Sequence, residues 1–228
     1  MKKVGIIGGI GPASTVEYYN GIIYGYKKLT NDENYPHLFI NSINMTEMAK
    51  YITGKDIDNL IIFLLNEIQK LVEIGADFIA IASNTPHMVI KELTEKTSVP
   101  IISIVDETCK YVKNLNLKKV LLTGTLFTMQ NNFYNKALQK YNIECIAPND
   151  DDKTIIQNII FPNLEEGIII EKDKQLFNDL CNKIISKKDI DGIILGCTEL
   201  PLMIKNEDFN IPVIDTMGIH IKSILEKI

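Results

Sequence analysis

Short runs of apolar residues alternate with longer stretches in which apolar residues recur every three or four positions. The short runs are strand candidates: Lys3–Gly8, Leu38–Ile43, Asp77–Ala82, Ile101–Ile104, Lys119–Thr123, Glu144–Ala147, Gly192–Leu195 and Pro212–Ile214. Between them the longer periodicity predicts helices over Ala13–Leu29, Asp56–Ile74, Pro86–Lys96, Val105–Leu115, Thr128–Tyr141, Asp151–Ile160, Glu171–Lys187 and Thr216–Ile228. Strands that are apolar along their whole length, without alternation, are buried on both faces. With helices between them they indicate α/β architecture built on parallel sheets.

The pattern also repeats. Lys2–Gly8 resembles Lys118–Gly124, and Ala76–His87 resembles Ile190–Pro201. Val99-Pro100-Ile101-Ile102 resembles Ile211-Pro212-Val213-Ile214. The three matches lie in order at nearly constant spacing and predict two similar parallel-sheet α/β domains related by pseudo-symmetry. The expected division is 1–98 plus 211–228 for the first domain and 99–210 for the second. Ligands of open α/β sheets bind beyond the carboxyl ends of the strands. Two halves facing one another would place an active site in the cleft between them.

Two strand-to-helix corners carry the chemistry. The first ends in Ser83-Asn84-Thr85-Pro86-His87 and the second in Gly196-Cys197-Thr198-Glu199-Leu200-Pro201. Each places a small nucleophilic side chain at the end of a buried strand, with helix-start residues behind it. Asn84 or Thr85 suits an N-cap and Pro86 a first turn. A cysteine pointing into a helix N-terminus is expected as a stabilised thiolate. The other cysteines, Cys109, Cys145 and Cys181, fall within helix or strand patterns and read as structural. Gly8-Gly9-Ile10-Gly11-Pro12 links the first strand to a helix. It departs from a dinucleotide fingerprint, since Ser14 stands at the third glycine and the second strand ends in Asn41-Ser42 rather than an acid. Its use is to let backbone N–H groups, with Gly9 and Ile10 foremost, approach a small anion. Gly124-Thr125-Leu126-Phe127-Thr128-Met129 is the second half's counterpart, with hydroxyls able to hold a carboxylate or to cap a helix at Thr128.

Composition narrows the partners. The 228 residues are 46% hydrophobic and 23% charged, with a net charge of −5 and no cluster of lysines, which argues against nucleic acid. No apolar run reaches membrane-spanning length. Arginine is absent, so no bidentate guanidinium clamp is available for an anionic ligand. The four cysteines lack CxxC spacing and read as reduced, cytoplasmic thiols. The three histidines lack ligand spacing, so no metal is expected; His87 is open to either a site role or a structural one. Neither a phosphate loop nor a distinguished lysine suggests a cofactor.

Taken together, Gly8–Pro12, Asn84–His87, Gly124-Thr125 with Thr128-Met129, and Gly196–Pro201 resemble the signatures of the cofactor-independent aspartate/glutamate racemases, of the aspartate racemase type. The motifs lie in that family's order and span essentially the whole chain. The resemblance implies two α/β domains and a homodimer acting on a small amino-acid substrate. It also implies that the last strand and helix return to the first domain. Its chemistry is a thiol from each half, one removing the α-proton and the other delivering a proton to the opposite face. Here Cys197 is the second of those groups, on the L side, and Ser83 stands where the first cysteine is expected, on the D side. Some family members specific for L-substrates carry a hydroxyl there; a native serine and one introduced for cysteine read alike in the sequence. The resemblance assigns Cys197 and Ser83 as catalytic, and Gly9, Ile10, Asn84, Thr85, Thr125, Thr128, Thr198 and Glu199 as substrate-binding. The loop Asn163–Gly167 is acidic and offers no cation in place of the missing arginine. A single-cysteine decarboxylase or isomerase of the same superfamily, or a silent amino-acid-binding protein, would share these features.

Overall fold

The structure, a computed structural model, describes residues 1–30 and 33–228. The chain divides into one unit of Met1–Ile104 with His220–Ile228 and a second of Val105–Ile219.

In the first unit the order is β1 (Val4–Gly8), α1 (Pro12–Thr30), β2 (Leu38–Ser42), α2 (Met45–Thr53), α3 (Ile57–Glu73) and β3 (Phe78–Ile81). A 3₁₀ turn (Thr85–Val89), α4 (Ile90–Lys96) and β4 (Ile101–Ile102) follow. The four strands form one parallel sheet in the order β2-β1-β3-β4. Every residue of β1 and β3 is buried, as continuous apolar central strands require. Below them, Leu60, Leu64, Ile68 and Leu71 of α3 form a buried stripe in a core with Ile7, Ile79 and Ile81.

The second unit repeats this plan. It contains α5 (Ile104–Asn114), β5 (Lys119–Thr123), α6 (Leu126–Gln130), α7 (Phe133–Gln139), β6 (Glu144–Ile146), α8 (Asp150–Ile160), α9 (Glu171–Lys188), β7 (Gly192–Leu195), α10 (Leu200–Met203) and β8 (Val213–Asp215), and the start of α11 (Thr216–Leu225), which from His220 onward groups with the first unit. Its parallel sheet has the order β6-β5-β7-β8, the same permutation as in the first unit. Its core gathers Leu121, Ile156, Ile160, Phe177, Cys181, Ile193 and Leu195.

The sequence repeat has a structural cause. In the first unit the Asp77 carboxylate accepts from the Lys3 N–H at 2.6 Å, while the Asp77 N–H donates to the Lys3 carbonyl at 2.8 Å. In the second, Asp191 accepts from the N–H groups of Lys118 and Lys119 at 2.7 and 3.0 Å and donates to the Lys119 carbonyl at 2.9 Å. The two Val/Ile-Pro strand starts match as well: Ile79 N–H donates to the Pro100 carbonyl and Ile193 N–H to the Pro212 carbonyl. Each aspartate fixes the register of its central strand against its neighbour.

Several expectations shift. All eight strands occur, but β4 pairs with β3 and β8 pairs with β7. Residues 99–104 therefore sit with the first sheet. The last strand stays with the second sheet rather than returning to the first, and only His220–Ile228 groups with the first unit. Parallel pairing with the adjacent apolar strand decides this, and no local signal reports it. The helix expected over Thr128–Tyr141 is two, broken at Asn131-Asn132. The helix expected from Pro86 opens as a 3₁₀ turn, with Pro86 in its first turn. Helix α2, capped by the Asn44 side chain, was not anticipated. Among the described residues no helix is long and apolar enough to cross a membrane.

Candidate active site

Within each unit the chemistry-bearing residues gather beyond the carboxyl ends of the two central strands. In the first unit Ile7 of β1 lies in register with Ile81 of β3, so Gly9 and Ile10 follow one strand end and Ser83, Asn84 and Thr85 follow the neighbouring one. Gly9 has φ +81°, and a β-carbon there would stand 2.5 Å from the Ile43 carbonyl, so only glycine fits this turn. Its N–H donates to Thr15 Oγ1 at 2.9 Å. Ser83 and Asn84 are buried and Thr85 is half-buried. Asn84 occupies the cap position of the 3₁₀ turn without a side-chain capping bond.

His87 is a structural residue. Its Nδ1 lies 2.9 Å from the Ser83 carbonyl and its Nε2 accepts from the Ile104 N–H at 3.2 Å. The second bond requires an unprotonated Nε2, so Nδ1–H is the donor to Ser83. Burial, reinforced by His220, lowers the His87 pKa to about 3 and keeps the ring neutral. His220 is held between Tyr18 Oη, at 2.7 Å from Nδ1, and the Ile102 carbonyl, at 2.9 Å from Nε2. The backbone at Ser83 is thereby tied to a buried neutral imidazole.

In the second unit Thr123 of β5 is in register with Leu195 of β7, which sets Thr125 and Thr128 beside the Gly196–Glu199 corner. Thr125, not Thr128, caps α6: its Oγ1 accepts from the Thr128 N–H at 3.3 Å and lies 3.1 Å from Thr128 Oγ1. Gly124 has φ +152°, and a β-carbon on it would be 2.7 Å from the Gly196 carbonyl. The two glycines let the loops after β5 and β7 approach closely. Hydroxyls of Thr123 and Thr216 donate to the Ile194 and Leu195 carbonyls, both at 2.8 Å, and so fix the strand end ahead of Cys197.

Cys197 is 6% exposed, and its Sγ–H donates to Glu199 Oε2 at 3.0 Å. Thr198 Oγ1 donates to the same oxygen at 3.1 Å. Burial, then the Glu199 carboxylate, pushes the thiol pKa well above its ordinary value; N–H groups of Glu199 and Leu200 pull the other way and are outweighed. The expected stabilised thiolate is therefore a thiol. The helix behind it, α10, has four residues and begins three positions later, too short and too distant to hold a thiolate against that burial and charge. Cys109 and Cys181 are fully buried, and burial raises the pKa of Cys109 to about 12 and that of Cys181 further.

One group was missed. Glu165 lies in the 3₁₀ turn Leu164–Glu166, which packs against α10. Burial first, then the charges of Glu199 and Glu166, raise its pKa to about 6. The acidic sequence of the loop marked it only as lacking a cation.

The sequence profile of the Asp/Glu/Hydantoin racemase family matches residues 7–224. The chain belongs to this family. It is an isomerase of the amino-acid racemase class. It is 30% identical over 223 residues to the broad specificity amino-acid racemase RacX of Bacillus subtilis, covering 96% of this chain and 95% of that one. Among solved structures it resembles an aspartate racemase homologue from Pyrococcus horikoshii OT3, at 38% identity and TM-score 0.87, covering 100% of this chain and 99% of that chain. The aspartate racemase of Picrophilus torridus is similar over 100% of this chain and 94% of its own, at 26% identity and TM-score 0.77. In this racemase the described residues hold no set of three His, Cys, Asp or Glu side chains arranged for a metal.

Proposed function

We propose that the protein racemises aspartate, glutamate or both without a cofactor, with Cys197 moving the α-proton on the L face and Ser83 serving the D face. The observation that carries the reading is the Cys197 corner: a buried thiol bonded to a carboxylate, beside the N–H and hydroxyl donors of Thr125, Thr128 and Thr198. Family membership and the activities of the relatives named above support it. Removing an α-proton builds negative charge on the substrate carboxylate, and preorganised donors in a dry site stabilise it. With no arginine in the chain, the Thr125 and Thr128 hydroxyls and the loop N–H groups at Ile10, Asn84 and Thr85 hold the substrate, while the Gly9 N–H and the Thr198 hydroxyl are bonded to Thr15 and Glu199. A serine hydroxyl is a far weaker acid than a thiol; it relays a proton to the carbanion but is a poor base. The same reading has the chain work as a homodimer in the cytoplasm, with its cysteines reduced; all four are free thiols.

The test is incubation of L- and D-Asp and L- and D-Glu in heavy water, with Cα deuteration and chirality followed separately. Exchange from the L-enantiomer that disappears in Cys197→Ala supports the reading. Binding without exchange indicates a silent binder, and release of carbon dioxide from a malonate-type substrate indicates a decarboxylase. Exchange at the parent rate in Cys197→Ala overturns it.

A further inference from the structure

Gln157, on α8, reaches across to the loop after β5. Its Oε1 accepts from the Leu126 N–H at 2.6 Å, a bond between residues 31 positions apart. Leu126 is the first residue of α6, and the opening N–H groups of a helix have no acceptor within it. The Thr128 N–H is answered from inside the loop, by Thr125 Oγ1 at 3.3 Å. The Leu126 N–H is answered from another helix. Gln157 and Leu126 are both half-buried, where a donor left without an acceptor is costly.

The rest of the loop is pinned on its opposite side. Gly124, at φ +152°, brings the backbone so near the Gly196 carbonyl that a β-carbon would stand 2.7 Å from it. The Gly196 N–H donates to the Thr123 carbonyl at 2.8 Å and ties the same strand end to the Cys197 corner. Between this fixing and the Gln157 bond stand the Thr125 and Thr128 hydroxyls, 3.1 Å apart. Helix α6 has five residues, too few to hold a shape without outside contacts. Helix α8 is firmly anchored: Ile156, Ile159 and Ile160 are buried in one core with Leu121, Met129 and Cys197.

We propose that Gln157 is a positioning residue, holding the loop Gly124–Thr128 in the shape that presents the Thr125 and Thr128 hydroxyls to the substrate carboxylate. The proposal rests on the reading of those hydroxyls as substrate donors. Gln157 acts through Leu126 and not on the substrate. With its oxygen gone, the Leu126 N–H must turn to water, which draws the loop away from the Gly196 corner. Substrate then binds a shape that only a fraction of the molecules hold, and its apparent affinity falls by that fraction. Bound substrate restores the shape, so the saturated rate is kept. A group acting in the chemistry would instead lower kcat, and a residue serving only the fold would lower stability and leave KM alone.

Two variants test this by Cα exchange from L-Asp and L-Glu. Gln157→Met keeps the length and bulk of the side chain and removes the acceptor. It should raise KM on the order of 10–100-fold, as for a half-buried donor left unpaired, with kcat within about threefold of the parent. Gln157→His offers a ring nitrogen in place of Oε1, and that nitrogen accepts only while the imidazole is neutral. Its KM should approach the parent's at about pH 8 and rise toward that of Gln157→Met below about pH 6.5, while the ratio of Gln157→Met to the parent stays flat. A role in the fold alone gives no such rescue. Amide hydrogen exchange without substrate is the second readout. The Leu126 N–H should lose protection in Gln157→Met, and in Gln157→His only in acid. A KM within about threefold of the parent in Gln157→Met overturns the proposal, as does a fall in kcat with KM unchanged. So does a Gln157→His to parent ratio that ignores pH. If Gln157→Met does not fold, Gln157→His against the parent at the two pH values decides. If the parent exchanges neither amino acid, the racemase reading fails for both. The Leu126 amide then judges Gln157 by itself, and unaltered protection in Gln157→Met overturns its role.

Discussion

His87 makes the stability of the first unit depend on pH in a way that can be worked out beforehand. Its ring is 2% exposed, donates to the Ser83 carbonyl and accepts from the Ile104 N–H. Its pKa falls from 6.5 to about 3. The folded state holds the neutral ring, while the unfolded chain takes up a proton below 6.5. Between these values the unfolded state binds more protons, so stability falls as pH falls. One pKa unit is worth about 1.36 kcal/mol, so bringing the protein from pH 7 to pH 5 removes about 2 kcal/mol through this group alone. At pH 3 the loss reaches about 4 kcal/mol, close to the whole stability of a marginal small domain. His87→Asn keeps a donor for Ser83 but cannot titrate. It should cost about 1–3 kcal/mol at pH 7, because the Ile104 N–H loses its acceptor. It should then be less sensitive to acid than the parent by about 2 kcal/mol between pH 7 and pH 5. Urea midpoints at the two pH values, with hydrogen exchange of the β3 amides to assign the transition to the first unit, measure that difference. Carboxylate contributions are shared by both proteins and cancel. Equal pH dependence in parent and variant would refute the neutral, desolvated His87.

Further outcomes follow from the two corners. With Ser83 on the D side, exchange should be fast from the L-enantiomer and slower from the D-enantiomer, and Ser83→Cys should raise D-substrate exchange by about 10²–10⁴-fold. Equal initial rates from both enantiomers in the parent would remove Ser83 from the reaction. Gly124→Ala forces a left-handed φ on a residue with a β-carbon and drives that carbon against the Gly196 carbonyl. It should destabilise by about 1–3 kcal/mol from the backbone strain, read as a lowered melting temperature. An unchanged melting temperature would show that the two loops do not need this approach. Thr125→Val removes the α6 cap and a candidate carboxylate donor, so it should cost about 1 kcal/mol of stability and weaken L-Asp binding in calorimetry. Parent-like binding in both Thr125→Val and Thr198→Val would withdraw these hydroxyls from substrate recognition.

Much of this protein is written locally. Unbroken apolar runs can satisfy their backbone and their burial together only as central parallel strands, so all eight strands are legible. The repeat is legible because the same aspartate and the same Val/Ile-Pro strand start perform the same register-fixing bonds in both units. The glycines at 9 and 124 announce turns that a β-carbon would block. The corner residues stand out because a nucleophile at a buried strand end has few bland explanations.

What the sequence does not contain is anything set by residues distant along the chain. The pairing of β8 with β7 depends on which apolar edge is nearest, and a strand of three residues carries no record of its neighbour. The neutrality of His87 depends on desolvation and on Ile104 and His220. The state of Cys197 is the clearest case. Its neighbours Thr198 and Glu199 were in plain view, yet a position at a helix start argued for a thiolate. Only the folded corner buries the sulfur, turns the Glu199 carboxylate onto it and brings the turn carrying Glu165 against α10. Desolvation and charge act through space, and in a buried site they outweigh the weak field of a four-residue helix.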